Sequence, residues 1–218
     1  MSLVSNLFLL FVAASILIYY IVPRKSQWIV LLIFSYLYYI AGGPRYVVFI
    51  LFSTLVTWLM ALLIEKAEGK ENHKGARKLL ILGLILNFGM LGIVKYTNFA
   101  LENINALLHL NLRGIQLLLP LGISFYTFQS SGYLLDVYWK RCKAERHPLK
   151  YALFVSFFPQ ILQGPIGRYS RLADQLYAEH RFEGNNIIRG FERILWGFFK
   201  KMILADWAAA FADAIFED

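Results

Sequence analysis

The chain has 218 residues, of which 58% are hydrophobic, and carries a formal net charge of +8 from 22 Lys+Arg against 14 Asp+Glu. Its mean hydropathy is +0.53, higher than an ordinary soluble domain reaches, and several apolar runs approach the roughly 20 residues that cross a bilayer. The basic residues fall in loops between those runs. That pattern belongs to a polytopic membrane protein and excludes nucleic-acid binding as the source of the charge. The single cysteine, Cys142, excludes an intrachain disulfide. It lies in the basic segment WKRCKAERH, as a free thiol or as a juxtamembrane palmitoylation site.

Taken in chain order, Leu3–Val22 is a continuous apolar run ended by Pro23-Arg24-Lys25. It has no basic leader and no small-residue cleavage signal, so it reads as an uncleaved transmembrane helix. Gln27–Ala41 is a second run, rich in tyrosine and closed by Gly42-Gly43-Pro44, and Tyr46–Ile64 is a third. Glu65–Lys78 is the longest polar loop, with Lys66, Lys70, Lys74, Arg77 and Lys78 as a cytoplasmic anchor. Leu79–Val94 is a fourth span, with Gly83, Gly89 and Gly92 as places for close backbone approach. Asn98–Asn111 mixes Phe99, Ile104, Leu107 and Leu108 with polar residues and reads as an interfacial helix.

Ile115–Tyr138 is predicted as the fifth span, and it holds the most informative stretch, LPLGISFYTFQSSG at Leu119–Gly132. Lipid cannot hydrogen-bond polar groups. On a helix Gly122, Tyr126, Gln129, Ser130 and Tyr133 share one face, which must therefore look at protein, water or substrate. The basic loop Lys140–Lys150 follows. If spans alternate, it lies on the same side as loop 65–78 and Arg24-Lys25. The positive-inside rule then puts the N-terminus outside and these loops in the cytoplasm.

Tyr151–Arg168 breaks the pattern. Tyr151–Phe158 is too short to span, and Pro159, Gly164 and Pro165 forbid a continuous helix. It reads as a re-entrant or broken segment that dips in and returns to the cytoplasmic face. Ile187–Phe216 is helical again, with Arg189, Arg193 and Lys200 on one face and Phe191, Ile194, Leu195, Phe198 and Met202 on another. That predicts an in-plane amphipathic helix through Lys201, followed by a buried or spanning part. Residues 1–218 read as a single transmembrane domain without a soluble domain or internal repeat.

Three separated, ordered stretches carry a family resemblance: Pro120–Trp139, PLGISFYTFQSSGYLLDVYW; Phe157–Ser170, FFPQILQGPIGRYS; and Gly197–Ala209, GFFKKMILADWAA. The chain resembles the membrane-bound O-acyltransferases. Within them it is most similar to the bacterial branch of the alginate O-acetyltransferases and the teichoic-acid D-alanylation protein. The resemblance implies an all-α ring of tilted transmembrane helices with re-entrant and interfacial helices around a thinned, tunnelled centre. It implies transfer of an acyl group, usually acetyl, to a hydroxyl of a cell-surface polysaccharide in the bacterial cytoplasmic membrane. The donor would be acetyl-CoA or another thioester carrier. Partners would be the bilayer, the polysaccharide, or a periplasmic or extracellular acyltransfer protein. No bound cofactor and no metal are implied.

The family's catalytic histidine and its Trp-His surroundings lie beyond the region that matches. None of His73, His109, His147 and His180 has that context, so no catalytic residue is carried over. The chain is expected to be the N-terminal half of a family member and inactive alone. Gln160, Gln163 and Arg168 would line the donor entrance, or satisfy broken backbone and reach headgroups. Tyr126, Gln129 and Ser130 would line the tunnel, or bond between helices. Two other readings fit intramembrane polar residues and a broken helix: half of a transporter or channel, and a non-catalytic scaffold that needs a partner chain.

Overall fold

A computed structural model describes residues 6–108, 120–161 and 164–216. All regular structure among them is helical. Two compact units are present, Met1–Glu179 and His180–Asp218.

The first unit opens with α1 (Asn6–Ile21) and α2 (Gln27–Ala41). Pro23 and a short 3-10 turn at Arg24–Ser26 separate them, because proline ends one helix and presets the next. Helix α3 (Val47–Glu68) follows a second 3-10 turn at Pro44–Tyr46. Helix α4 (His73–Leu108) has 36 residues. The segment Pro44–Glu68 and helix α4 are each long and apolar enough to cross a membrane.

Four boundaries differ from those the sequence predicts. Loop 65–78 contracts to 69–72, because Glu65–Glu68 and His73–Lys78 extend the flanking helices. The interfacial helix predicted at Asn98–Asn111 is the continuation of α4, as far as the described residues reach. No proline or glycine interrupts Val94–Asn98, and the polar side chains of Thr97 and Asn103 bond back to the carbonyls of Ile93 and Phe99 four residues earlier. The predicted fifth span at Ile115–Tyr138 is described only from Pro120, and its helix α5 starts at Ile123. Pro120 and Gly122 set that start, Gly122 adopting φ +67°. Of the three α4 glycines predicted for close approach, Gly83, Gly89 and Gly92, only Gly83 provides it. A Cβ there would meet Leu134 Cδ1 at 2.8 Å and Met60 Cβ at 3.3 Å, whereas Gly89 and Gly92 face open space.

Helices α3, α4 and α5 (Ile123–Tyr138) pack most extensively on one another. Their outer faces stay apolar: Leu10 of α1, Val48 of α3 and Ile93 of α4 are each about two-thirds exposed. So many exposed large apolar side chains suit a hydrocarbon solvent rather than water. Short helices α6 (Pro148–Ser156), α7 (Phe158–Ile161) and α8 (Tyr169–Tyr177) complete the unit. Every residue from Tyr151 to Ser156 is buried, so α6 beyond its exposed first turn is enclosed by protein on all sides.

The basic segments gather at one end of this unit. Glu65 accepts from Ala144 N at 3.1 Å and pairs with Arg146, while Lys140 reaches Glu68 at 3.1 Å. His147 lies edge-on against Trp28, one turn after Arg24-Lys25. Each exposed pair adds little stability. Together they fix the short loop after α3 against the segment that leads into α6.

The second unit holds α9 (Gly184–Phe199), a π-helical turn at Lys200–Ala205 and α10 (Asp206–Phe216). No residue of α9 is buried. Its apolar face (Phe191, Ile194, Leu195) and its basic face (Arg189, Arg193) stand apart, as the spacing predicts.

Candidate functional site

The segment after α5 leaves the basic end at His147, runs inward as α6 and α7, and is back by Tyr169. The return is fixed by two phenols: Tyr169 donates to Glu145 Oε2 at 2.6 Å, and Tyr177 donates to the Lys150 carbonyl at 2.6 Å. Tyr133, Tyr151, Phe154 and Tyr169 stack beneath with ring centroids 4.7–6.4 Å apart.

The break between α6 and α7 is built at one backbone pair. In a continuous helix Phe158 N would bond the Phe154 carbonyl. Phe157 instead turns out of helical geometry, at ψ 105°. The orphaned Phe158 N–H donates to Ser35 Oγ at 3.2 Å, and the orphaned Phe154 carbonyl accepts from Gln129 Nε2 at 3.0 Å. One residue from α2 and one from α5 thus satisfy both halves of a broken bond, which is the condition for irregular backbone in an apolar interior. Gln129→Leu is expected to leave the Phe154 carbonyl unpaired and to cost about 1–3 kcal/mol. Denaturant titration in detergent micelles would read the loss.

The polar face of α5 looks at protein. Tyr126, Gln129, Ser130 and Tyr133 are all buried. Ser130 Oγ accepts a long 3.4 Å bond from Tyr151, and Tyr133 OH accepts from Glu145 N at 2.8 Å. The hydroxyls of Tyr126 and Tyr39 face each other, as do those of Tyr36 and Thr54, while those of Thr127 and Ser131 have no hydrogen-bond partner among the described residues. These hydroxyls give the interior beside α5 a polar surface within an apolar bundle.

The remaining candidates lie on the return segment. Gln160 Nε2 donates to the Pro165 carbonyl, and its side chain fills the space left by Gly164 and Gly167. Gln163 lies outside the described residues. Arg168 is exposed at the N-cap of α8 and makes no ion pair among the described residues. Tyr169 and Ser170, the next two residues, line a pocket of about 400 Å³ at the basic end, together with Cys142, Lys143, Glu145 and Asp174. The structure therefore separates a buried set on α5 from half-buried Gln160 at the break and from exposed Arg168, which precedes the pocket residues Tyr169 and Ser170.

Sequence reasoning missed the second polar network. Asn87, alone in the apolar run of α4, accepts from Ser53 Oγ at 2.6 Å and donates to Thr57 Oγ1 at 3.0 Å and to the Gly83 carbonyl at 2.9 Å. An asparagine inside a span was the available signal. Among the described residues no three His, Cys, Asp or Glu side chains converge as metal ligands.

Burial pushes the Cys142 thiol up to about 11, with the Asp136 and Glu65 carboxylates adding to the shift. The thiolate is the nucleophile, so alkylation by N-ethylmaleimide should be slow at neutral pH and rise about tenfold per pH unit up to that value. A rate that levels off near pH 8.5 would contradict the burial.

These features define an all-helical membrane protein whose interior is organised around a capped helix break. By sequence it is a partial-length, membrane-bound O-acyltransferase-like chain. It is 34% identical over 220 residues to the Pseudomonas aeruginosa protein named "Probable alginate O-acetylase AlgI", covering 97% of this chain and 41% of that protein. Its counterpart of the same name in Azotobacter vinelandii is 33% identical, over 97% of this chain and 43% of the relative. The Helicobacter pylori "Peptidoglycan O-acetyltransferase" is 34% identical over 216 residues, 87% of this chain and 40% of that protein. The chain thus spans about two fifths of the length of the curated relatives it matches. No family model matches the chain, and no solved structure does.

Proposed function

We propose that this chain forms part of a membrane O-acetyltransferase that acts on a hydroxyl of a cell-surface polysaccharide. The observation that carries this reading is the near-full coverage of the chain by two differently named relatives, one an alginate O-acetylase and one a peptidoglycan O-acetyltransferase. Their names share O-acetyl transfer to a glycan and differ in the glycan. The donor is an acetyl thioester. The acceptor hydroxyl attacks its carbonyl carbon, an ester C–O bond forms, the C–S bond breaks, and the hydroxyl proton leaves through a base to the departing thiolate. None of this chain's histidines is assigned that role.

In this reading the protein is a multi-pass protein of the bacterial cytoplasmic membrane, with its helices in a tilted ring. The N-terminus is outside and the basic end is cytoplasmic, in keeping with the gathering of three basic segments there. The donor approaches the pocket beside Tyr169, where Arg168 offers an unpaired guanidinium to a phosphate or carboxylate. Gln160, whose side chain folds against Gly164 and Gly167 just before Arg168, belongs to the same donor entrance; Gln163 is assigned to it by sequence alone. Tyr126, Gln129 and Ser130 lie on the inner face that the acyl group meets, and the buried hydroxyls there offer donors to its carbonyl.

Arg168→Ala in the complete protein is expected to lower acetyl transfer about tenfold or more while leaving membrane insertion intact. Transfer of radiolabelled acetyl in membranes, beside an immunoblot of the membrane fraction, tests it. Unchanged transfer would remove Arg168 from the site.

A further inference from the structure

Helices α2 and α3 touch each other little, while both pack against α6. The wedge leaves a lateral groove of about 460 Å³ between the three, within the range of sites that hold a molecule of lipid-chain or drug size. Its walls are almost wholly apolar, and three of them, Ile33, Leu55 and Leu149, are more than half exposed, so the groove opens on the apolar exterior. Pro148 and Leu149 form its mouth and Ala152 its floor, where the small side chain leaves the width. The inner end is closed by Tyr36 and Thr54, whose hydroxyls face each other.

The mouth adjoins the basic end. Pro148 follows His147, which lies against Trp28, and Arg24 and Lys25 precede Trp28 by one turn. Both cations are exposed and form no ion pair among the described residues. The indole of Trp58, on the groove wall, donates to the Glu145 carbonyl at 2.9 Å, the amphipathic placement of an interfacial tryptophan.

We infer that this groove binds one acyl chain of a bilayer phospholipid, with an anionic headgroup held by Arg24 and Lys25. The inference rests on the membrane reading of the chain, not on the acetyl-transfer reading. An apolar void open to hydrocarbon loses dispersion contacts unless a chain fills it. The cations beside its mouth complement an anionic headgroup and not a zwitterionic one.

The test uses the complete protein in phosphatidylcholine nanodiscs that contain a trace of lipid with a diazirine in its acyl chain, as phosphatidylglycerol or as phosphatidylcholine. After irradiation, adducts are mapped by peptide mass spectrometry. Adducts are expected to concentrate on groove residues of α2, α3 and α6, several-fold more with phosphatidylglycerol. Leu55→Trp, at the exposed rim, fills the groove and abolishes those adducts, while adducts on the outer face of α4 persist and report an intact fold. Arg24→Gln with Lys25→Gln removes the headgroup preference.

Thr54→Val deletes a hydroxyl that a hydrocarbon chain cannot use, so groove adducts do not fall. Adducts spread evenly over all lipid-facing helices, or retained in Leu55→Trp, would overturn the site. Loss in Thr54→Val would overturn the phospholipid assignment in favour of a guest whose polar group reaches the inner end, such as the thioester donor. Acetyl transfer is measured in parallel, so that failure of the groove and failure of the enzyme reading are told apart.

Discussion

Gly122→Ala is expected to destabilise the first unit by about 2–4 kcal/mol, the largest effect of any single methyl group in it. Gly122 sits at φ +67° before α5, where an L-residue costs about 1–2 kcal/mol by itself. The added Cβ would also lie 2.4 Å from the Ile161 carbonyl oxygen and 2.9 Å from Ile161 Cγ1. The first of these is backbone, so it cannot turn aside. Either α5 or α7 must move, and the move pulls Gln129 from the Phe154 carbonyl it caps. Gly132, ten residues along in the same helix, is the control, because a Cβ there meets nothing within 4 Å. Gly132→Ala should be neutral or stabilising by up to about 1 kcal/mol, since alanine favours the helix. Unfolding in mixed micelles, followed by tryptophan fluorescence, measures both. Equal stability of the two variants would show that α5 and α7 do not meet as described.

Asn87→Ala is expected to cost about 2–3 kcal/mol through a different mechanism. The amide serves two α3 hydroxyls at once, accepting from Ser53 and donating to Thr57. It also ties to the Gly83 carbonyl on its own helix. Its removal leaves the buried Ser53 hydroxyl without its acceptor and takes one donor from Thr57, whose hydroxyl also faces Tyr151, beside the Gly83 contact of α4 with α3 and α5. Bonds between membrane helices are often worth less than burial suggests, because the unfolded reference finds other partners. A double-mutant cycle resolves this. Ser53→Ala with Asn87→Ala should cost less than the sum of the single changes, because the orphaned partner goes too. Additivity would mean that the two side chains do not interact.

The polar face of α5 and the broken segment were both legible in the sequence, for a common reason. Polar residues in an apolar run, and prolines within helix reach, are incompatible with lipid unless tertiary structure absorbs them. Their partners were not legible. Ser35 is an ordinary serine in an apolar helix until Phe158 is brought to it from 123 residues away. Periodicity carries no information on which distant carbonyl a glutamine will meet. Boundaries failed where polar residues were read as a loop: Glu65–Glu68 and His73–Lys78 are helical, because Glu, Lys, Ala and Leu favour helix wherever their faces point, and Asn98–Leu108, read as a separate interfacial helix, continues α4. The closeness of the two basic loops follows from span alternation, but the pairing of Glu65 and Glu68 with Arg146 and Lys140 does not. Of the site candidates, the sequence placed Gln129 on the polar face of a span and Gln160 at the break without showing which backbone carbonyl each engages.

The central claim is that this chain builds part of a glycan O-acetyltransferase. The most direct measurement is the alkali-labile acetate released from the surface polysaccharides of source cells in which the complete gene has been deleted. The same cells are then complemented with the wild type or with Arg168→Ala. The account predicts loss of O-acetate on deletion, restoration by the wild type, and a much smaller restoration by Arg168→Ala with the protein still in the membrane fraction. Unchanged O-acetate in the deletion strain, across every extractable glycan, would contradict it.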